Sequence, residues 1–247
     1  AYNQDGADNK ALETDEYHVS IAGGFGEVKV GNEGDVTGPI FDVVDIAETT
    51  GLTLPAGGAS TEVLQYYSND FSGISFAVQT QILGDKEEDA VTQPSDGSST
   101  SFAGMVMADL GSFTAGAGFA ERANSQDEPT YGLMLSTALD GVNLSANYVV
   151  QEAADGVTIA SPNDDGKDFS SVGVAADYNY GGGDLYGAIH SLSVDNLPAG
   201  VDDGFTQYLV GVNYNIVPST YIYGELSSQD IETDEKDTMS VGMYYSF

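Results

Sequence analysis

The chain contains no cysteine and no tryptophan, two histidines, and six lysines and arginines against 39 aspartates and glutamates, a formal net charge of −33 over 247 residues. Each scarcity removes a class of function. Without cysteine there are no disulfides and no thiolate metal sites. With so few basic side chains the protein cannot displace the counterions condensed on a phosphate backbone, which excludes nucleic acid as a partner. His18 and His190 stand in a sequence with no G-x-S-x-G or H-E-x-x-H motif, so the common nucleophile–base and zinc arrangements lack their parts. No catalytic residue is assigned and no enzyme is expected. Long apolar runs are wanting too: the nearest, Phe102 to Ala120, is interrupted by Asp109-Leu-Gly-Ser112 and reads as two strands and a turn rather than a membrane helix. The start, Ala1 to Lys10, is polar and shows no signal peptide.

What the chain does have is 31 glycines, 15 tyrosines and 10 phenylalanines, too aromatic a composition for an acidic disordered chain. Apolar residues recur with a period of two. Val172, Val174, Ala176, Tyr178 and Tyr180 alternate with Ser171, Gly173, Ala175, Asp177 and Asn179, and Val142 to Val150 and Tyr208 to Tyr214 repeat the pattern. One face is greasy and the other wet, which makes these strands. Thirteen are predicted, at 15–22, 26–32, 61–68, 73–84, 99–109, 112–122, 129–138, 141–152, 168–179, 183–193, 205–215, 219–229 and 237–247. Many approach ten residues, the length that crosses a bilayer when tilted.

The connections alternate as well. Gly23-Gly24, Asn69-Asp70-Phe71, Leu110-Gly111, Asp140-Gly141, Gly181-Gly182 and Val217-Pro218 are tight turns, and between them lie long, mostly acidic segments such as 85–98, 153–167 and 230–236. A soluble β-sandwich explains the alternation within strands but not this rhythm, whereas an up-and-down barrel of the outer membrane has short turns at one end and long loops at the other. Mid-strand charges fit the barrel, since Asp177, Glu225, Glu27 and Lys29 all fall on the polar face. Glu62 is the exception: with Leu64 and Tyr66 outward it points outward too, which is tolerable only at the strand's end.

Three stretches resemble the general diffusion porins of Gram-negative outer membranes. Tyr17 to Gly31, with its Gly-Gly-Phe-Gly turn, is similar to the hairpin that leads into the porin third loop, and Tyr66 to Gln79 to the hairpin that follows it. At the C-terminus Met239, Val241, Met243, Tyr245 and Phe247 share one face. Of these, Met243, Tyr245 and Phe247 look like the signal read by barrel assembly machinery. The resemblance implies a single all-β domain over 1–247, a 16-stranded transmembrane antiparallel barrel of which about 13 strands are present, the first three being absent. It also implies that residues 32–60 fold into the lumen as a constriction.

On that reading Glu33, Asp35, Asp42, Asp45 and Glu48 are the acidic candidates at the constriction, about half of them facing the pore and others solvated or capping a helical turn near Phe41 to Ala47. Asn32 and Gln65 stand where the family commonly has arginine, which leaves Lys29 as the one inward base. Glu27, Gln65, Asp177, His190 and Glu225 are expected to line the lumen. An acidic lumen concentrates cations and repels anions, so cation selectivity is expected. The acidic loops suit a saline habitat, where a Debye length of about 3 Å near 1 M silences their repulsion. They are expected to hold divalent cations weakly at most, and no cofactor is assigned: Asn163 to Asp168 lacks calcium-loop spacing. The expected partners are outer-membrane lipid and lipopolysaccharide, two further copies in a homotrimer, and small hydrophilic solutes and cations. The alternative is a non-conducting barrel serving adhesion or envelope structure, and the position of residues 32–60 separates the two.

Overall fold

The computed structural model describes residues 17–49, 62–82, 101–121, 127–153, 169–194, 204–230 and 236–246. The acidic runs 85–89 and 163–168, the N-terminal segment 1–16, residues 50–60 of the expected loop and Phe247 lie outside them. Thirteen strands form one antiparallel sheet in strict chain order. They are β1 (Tyr17–Gly23), β2 (Gly26–Asn32), β3 (Val63–Tyr67), β4 (Ile74–Gln81), β5 (Phe102–Asp109), β6 (Phe113–Glu121) and β7 (Asp127–Leu139). The rest are β8 (Val142–Ala153), β9 (Phe169–Asn179), β10 (Asp184–Val194), β11 (Gly204–Val217), β12 (Thr220–Asp230) and β13 (Lys236–Tyr245). The single helix among the described residues, α1 (Gly38–Phe41), follows β2. Each expected strand is present within a few residues of its expected bounds, and β1 and β13 are the two edges of the described sheet.

Register assigns the faces. Val28 and Val30 pair with Tyr66 and Leu64, Tyr66 with Val78, and the same parity runs on through Leu133, Tyr148, Val174, Ile189, Val210 and Val241. Most of these apolar residues are exposed, Val174 at 54% and Leu133 at 59%, while Val28 and Tyr66 are half-buried. A water-soluble sandwich buries that face, so a continuous exposed apolar face across all strands identifies lipid contact. The aromatics on it form two belts. Phe76, Phe113, Tyr178, Tyr214 and Tyr245 sit toward the short turns, while Phe102, Phe119, Tyr131, Tyr148 and Tyr208 sit toward the opposite ends. Aliphatic residues fill the band between them, the arrangement expected where amphipathic rings meet the two interfaces of a bilayer.

Two local expectations are corrected. Glu62 takes a left-handed φ of 52° and β3 begins only at Val63, so Glu62 leaves the alternation before its side chain meets lipid. Its N–H donates to Asn32 Oδ1 at 3.0 Å, closing the base of the connection between β2 and β3. The helical turn expected near Phe41 to Ala47 lies earlier, at Gly38–Phe41, because Pro39 sits in the first turn, where a missing N–H costs nothing.

A charge placed on the apolar face at mid-strand is expected to cost about 2–4 kcal/mol. Val174→Arg should lose that much in urea unfolding from lipid vesicles, while Asn143→Arg, on the opposite, wetted face, should lose little.

Candidate functional site

Residues 33–49 lie against the inward face and cross most of it. At the near end Gln65 Nε2 donates to Gly34 O and to Gln79 Oε1, both at 2.7 Å, and Gln79 Oε1 also accepts the Val36 N–H at 3.3 Å. In the middle, Asn147 Nδ2 donates to Phe41 O at 2.5 Å and Ser145 Oγ to Val43 O at 2.9 Å. At the far end the Glu225 carboxylate of β12 accepts the N–H of Glu48 at 2.5 Å, the N–H of Thr49 at 3.0 Å and the Tyr186 hydroxyl at 2.9 Å. The segment therefore bridges from β3 and β4 to β12, and the sheet wraps around it.

Apolar packing fixes the same path. Val36, Ile40, Phe41 and Val44 are fully buried, each worth about 1.5–3 kcal/mol relative to exposure. They can approach because the wall beneath is glycine. A Cβ on Gly132 would stand 2.6 Å from the Phe41 ring, one on Gly118 3.0 Å from Ile40, and one on Gly173 2.6 Å from Val44. These inward glycines escaped the sequence reading. Their signal is in β6, where Gly116, Gly118 and Ala120 stand at consecutive polar-face positions that a lumen wall without a tenant would not need to keep small.

The candidate residues separate into groups. Glu33 is held between Lys29 Nζ at 2.9 Å and His18 Nδ1 at 2.5 Å, and the lysine bond pulls its carboxyl below the usual range. Lys29 also lies 5.1 Å from the centre of the Tyr67 ring. It is the one lysine or arginine whose side chain is described, and it is paired at the root of the segment rather than facing it from across the lumen. Gln65, His190 and Glu225 occupy the inward face, with 0%, 0% and 2% exposure, so they border the segment and not open space. Glu27 is inward and half-buried, and Asp177 accepts an Asn143 amide bond at 2.7 Å. Met243 and Tyr245 face outward on β13, exposed at 65% and 58%.

Asp35 accepts the N–H of Thr37 at 3.2 Å and its hydroxyl as well, which starts the turn into α1. Asp42 and Asp45 are exposed and Glu48 accepts the Tyr221 hydroxyl at 2.7 Å. Enclosure by the surrounding wall raises the Asp42 carboxyl to about 6, with the charges of Asp45 and Asp35 adding to the shift. Below Val43 and Ile46, toward the short turns, an open recess of about 690 Å³ is lined by polar groups that include Asp109, Ser136, Asn143 and Asp177. No group of three or more histidine, aspartate or glutamate side chains that could hold a metal ion occurs among the described residues.

A family model described as Gram-negative porin matches residues 1–236. The chain belongs to the Gram-negative porin family. A monosaccharide porin of a Halomonas species and the major outer membrane protein of Halomonas elongata are each 28% identical to it, over 94% of this chain and 72% of their own. Among solved structures, the anion-selective porin from Comamonas acidovorans superposes with a TM-score of 0.73 over 93% of this chain and 77% of that one, at 18% identity, a likeness of fold. This porin is accordingly a passive diffusion channel of the outer membrane and not an enzyme.

Removing the far tether tests how the segment is held. Hydrogen bonds to a charged acceptor contribute about 1.5–3 kcal/mol each, so Glu225→Ala in this porin should lower amide-exchange protection at Glu48 and Thr49 by at least about tenfold. Glu225→Gln, which keeps an acceptor oxygen, should lose less in the same exchange measurement.

Proposed function

We propose that residues 33–49 narrow the lumen to a constriction and that the porin passes small hydrophilic solutes through it with a preference for cations. The supporting observation is the charge at the narrowing. Asp42 and Asp45 are exposed there, while Lys29 already forms an ion pair with Glu33. A single-signed lining in a narrow, low-dielectric passage focuses the field and concentrates counter-ions. A relative in fold carries the name anion-selective, so architecture alone does not set the sign of selectivity, and the charged side chains do. The apolar outer face and the family resemblance support insertion among outer-membrane lipid and lipopolysaccharide as a homotrimer. The surplus of acidic residues, 39 against six basic, suits a saline exterior where screening is strong.

Planar-bilayer recording across a salt gradient tests the reading. Stepwise currents with a reversal potential on the cation side are expected, and an anion-selective reversal would overturn the acidic constriction. Asp42 supplies the pH dependence. Its carboxyl is raised from 3.8 to about 6, so ionising it costs stability as pH rises through that window, and its charge is present above about 6 and lost below. Cation preference should therefore fall as the pH is lowered from 7 to 5, and Asp42→Asn should flatten that step.

A further inference from the structure

Three of the chain's five methionines stand together on the inner wall. Met105 and Met107 of β5 form a Met-x-Met pair, and on a strand that spacing turns both thioethers to one face. The register makes it the inner face: Met105 pairs with Ala77 and Gly118, and Met107 with Ser75 and Gly116. Met134 of β7 is the other partner of Gly116, so glycine separates the two side chains and they close over it. A Cβ on Gly116 would stand 2.5 Å from the Met107 sulfur and 2.9 Å from Met134 Cγ. Ile40 of the crossing segment meets the same spot, its Cγ1 3.3 Å from that position. The other two methionines, Met239 and Met243, lie on the outer face of β13, exposed at 73% and 65%.

Filling irregular gaps is the usual work of methionine in a core, and it accounts for Met134, which is buried beneath Ile40. It does not account for Met105 and Met107, which border that cluster and are only partly buried. Leucine fills the same volume with a better-defined shape; what methionine adds is polarisable sulfur. No three imidazole or carboxylate groups gather among the described residues, so hard cations find no cage at this wall. Two thioethers closing over a glycine, with a third two residues along the same strand, are soft donors, and soft donors take Cu(I) and its congener Ag(I) over sodium, magnesium or calcium. Asp109 continues the inner face of β5 two residues beyond Met107 and is exposed at the recess, with Oδ1 accepting the Gly111 N–H at 2.8 Å. Its charge draws cations of any kind toward the wall, and sulfur then selects among them. We propose that Met105, Met107 and Met134 form a binding site for a soft monovalent metal ion, Cu(I) or Ag(I), on the lumen wall beside the crossing segment. The inference goes beyond the passage of solutes and rests on that reading only for the ion's route to the wall.

The test is a titration of the purified porin with silver nitrate in chloride-free buffer, followed by NMR of isotope-labelled methionine methyl groups. The signals of Met105, Met107 and Met134 should shift saturably, while those of Met239 and Met243 on the outer face stay in place as an internal control. Met107→Leu keeps the volume and removes the sulfur, and should raise the half-saturating silver concentration by about tenfold or more. Met105→Leu combined with Met107→Leu should abolish the shift of Met134. Unchanged Met239 and Met243 signals in these variants report an intact barrel, and calcium nitrate should move none of the three inner signals. The methyl readout needs no current, so it tests the site whatever the bilayer recording shows. Five methyls shifting together, no shift at all, or a Met134 titration unaltered in the double variant overturns the site.

Discussion

A bilayer offers no water to a peptide group, so every amide that crosses it has to be bonded within the protein. Between the two edges of the described sheet, ladders between consecutive strands supply those bonds, from the pairing of Val19 with Val30 to that of Gly224 with Val241. Once the ladders are set, side chains can only alternate between lipid and lumen, and the register carries the choice made in one strand to the next. Val30 outward sends Leu64 outward, and Gln65 then has to meet Gln79 on the inner face. The amides that root the segment 33–49 are thus consequences of the same alternation that places Val174 against lipid.

The inner face then has to hold a segment that belongs to no strand. It does so at three places with three chemistries: amide bonds from Gln65 and Gln79, apolar burial of Ile40 and Phe41 over glycine, and the carboxylate of Glu225. The last is an acid used as an acceptor. Two backbone N–H groups and a tyrosine hydroxyl converge on it, so its charge is compensated locally and adds little to the field of the lumen. Glu33 is compensated too, by Lys29 and His18. The acidic candidates therefore divide, some bonded where the segment is held and others, Asp42 and Asp45, exposed.

The strand plan was legible because period-two alternation and Gly- or Asp-rich turns are local signals, and the bilayer enforces them with little tertiary compromise. Where tertiary structure intervened, the reading erred. Glu62 was assigned to a strand because Leu64 and Tyr66 continue its parity, but a left-handed φ and the bond to Asn32 end the strand first. The helical turn is expected over Phe41 to Ala47, although Pro39 favours a start before Phe41. Alternation put Gln65, His190 and Glu225 on the inner face, and no local pattern could say that the segment covers them. Burial under a crossing segment depends on contacts more than a hundred residues apart, such as Asn147 with Phe41.

One long-range feature does leave a mark in the sequence. Glycine within a strand weakens it and packs nothing, so a glycine at an inward, polar-face position needs a reason. Gly116, Gly118, Gly132 and Gly173 lie beneath Ile40, Phe41 and Val44, and Gly211 and Gly242 beneath the rings of Tyr186 and Tyr223. At Gly118, Gly132 and Gly173 a side chain of the crossing segment stands where a Cβ would be, and at Gly211 and Gly242 a tyrosine of the paired strand does. On a sheet whose faces are already assigned by alternation, inward glycines therefore mark where another side chain lies flat over the wall. The first group follows the path of the crossing segment from β6 to β9, and the second marks the rings of Tyr186 and Tyr223 near its end.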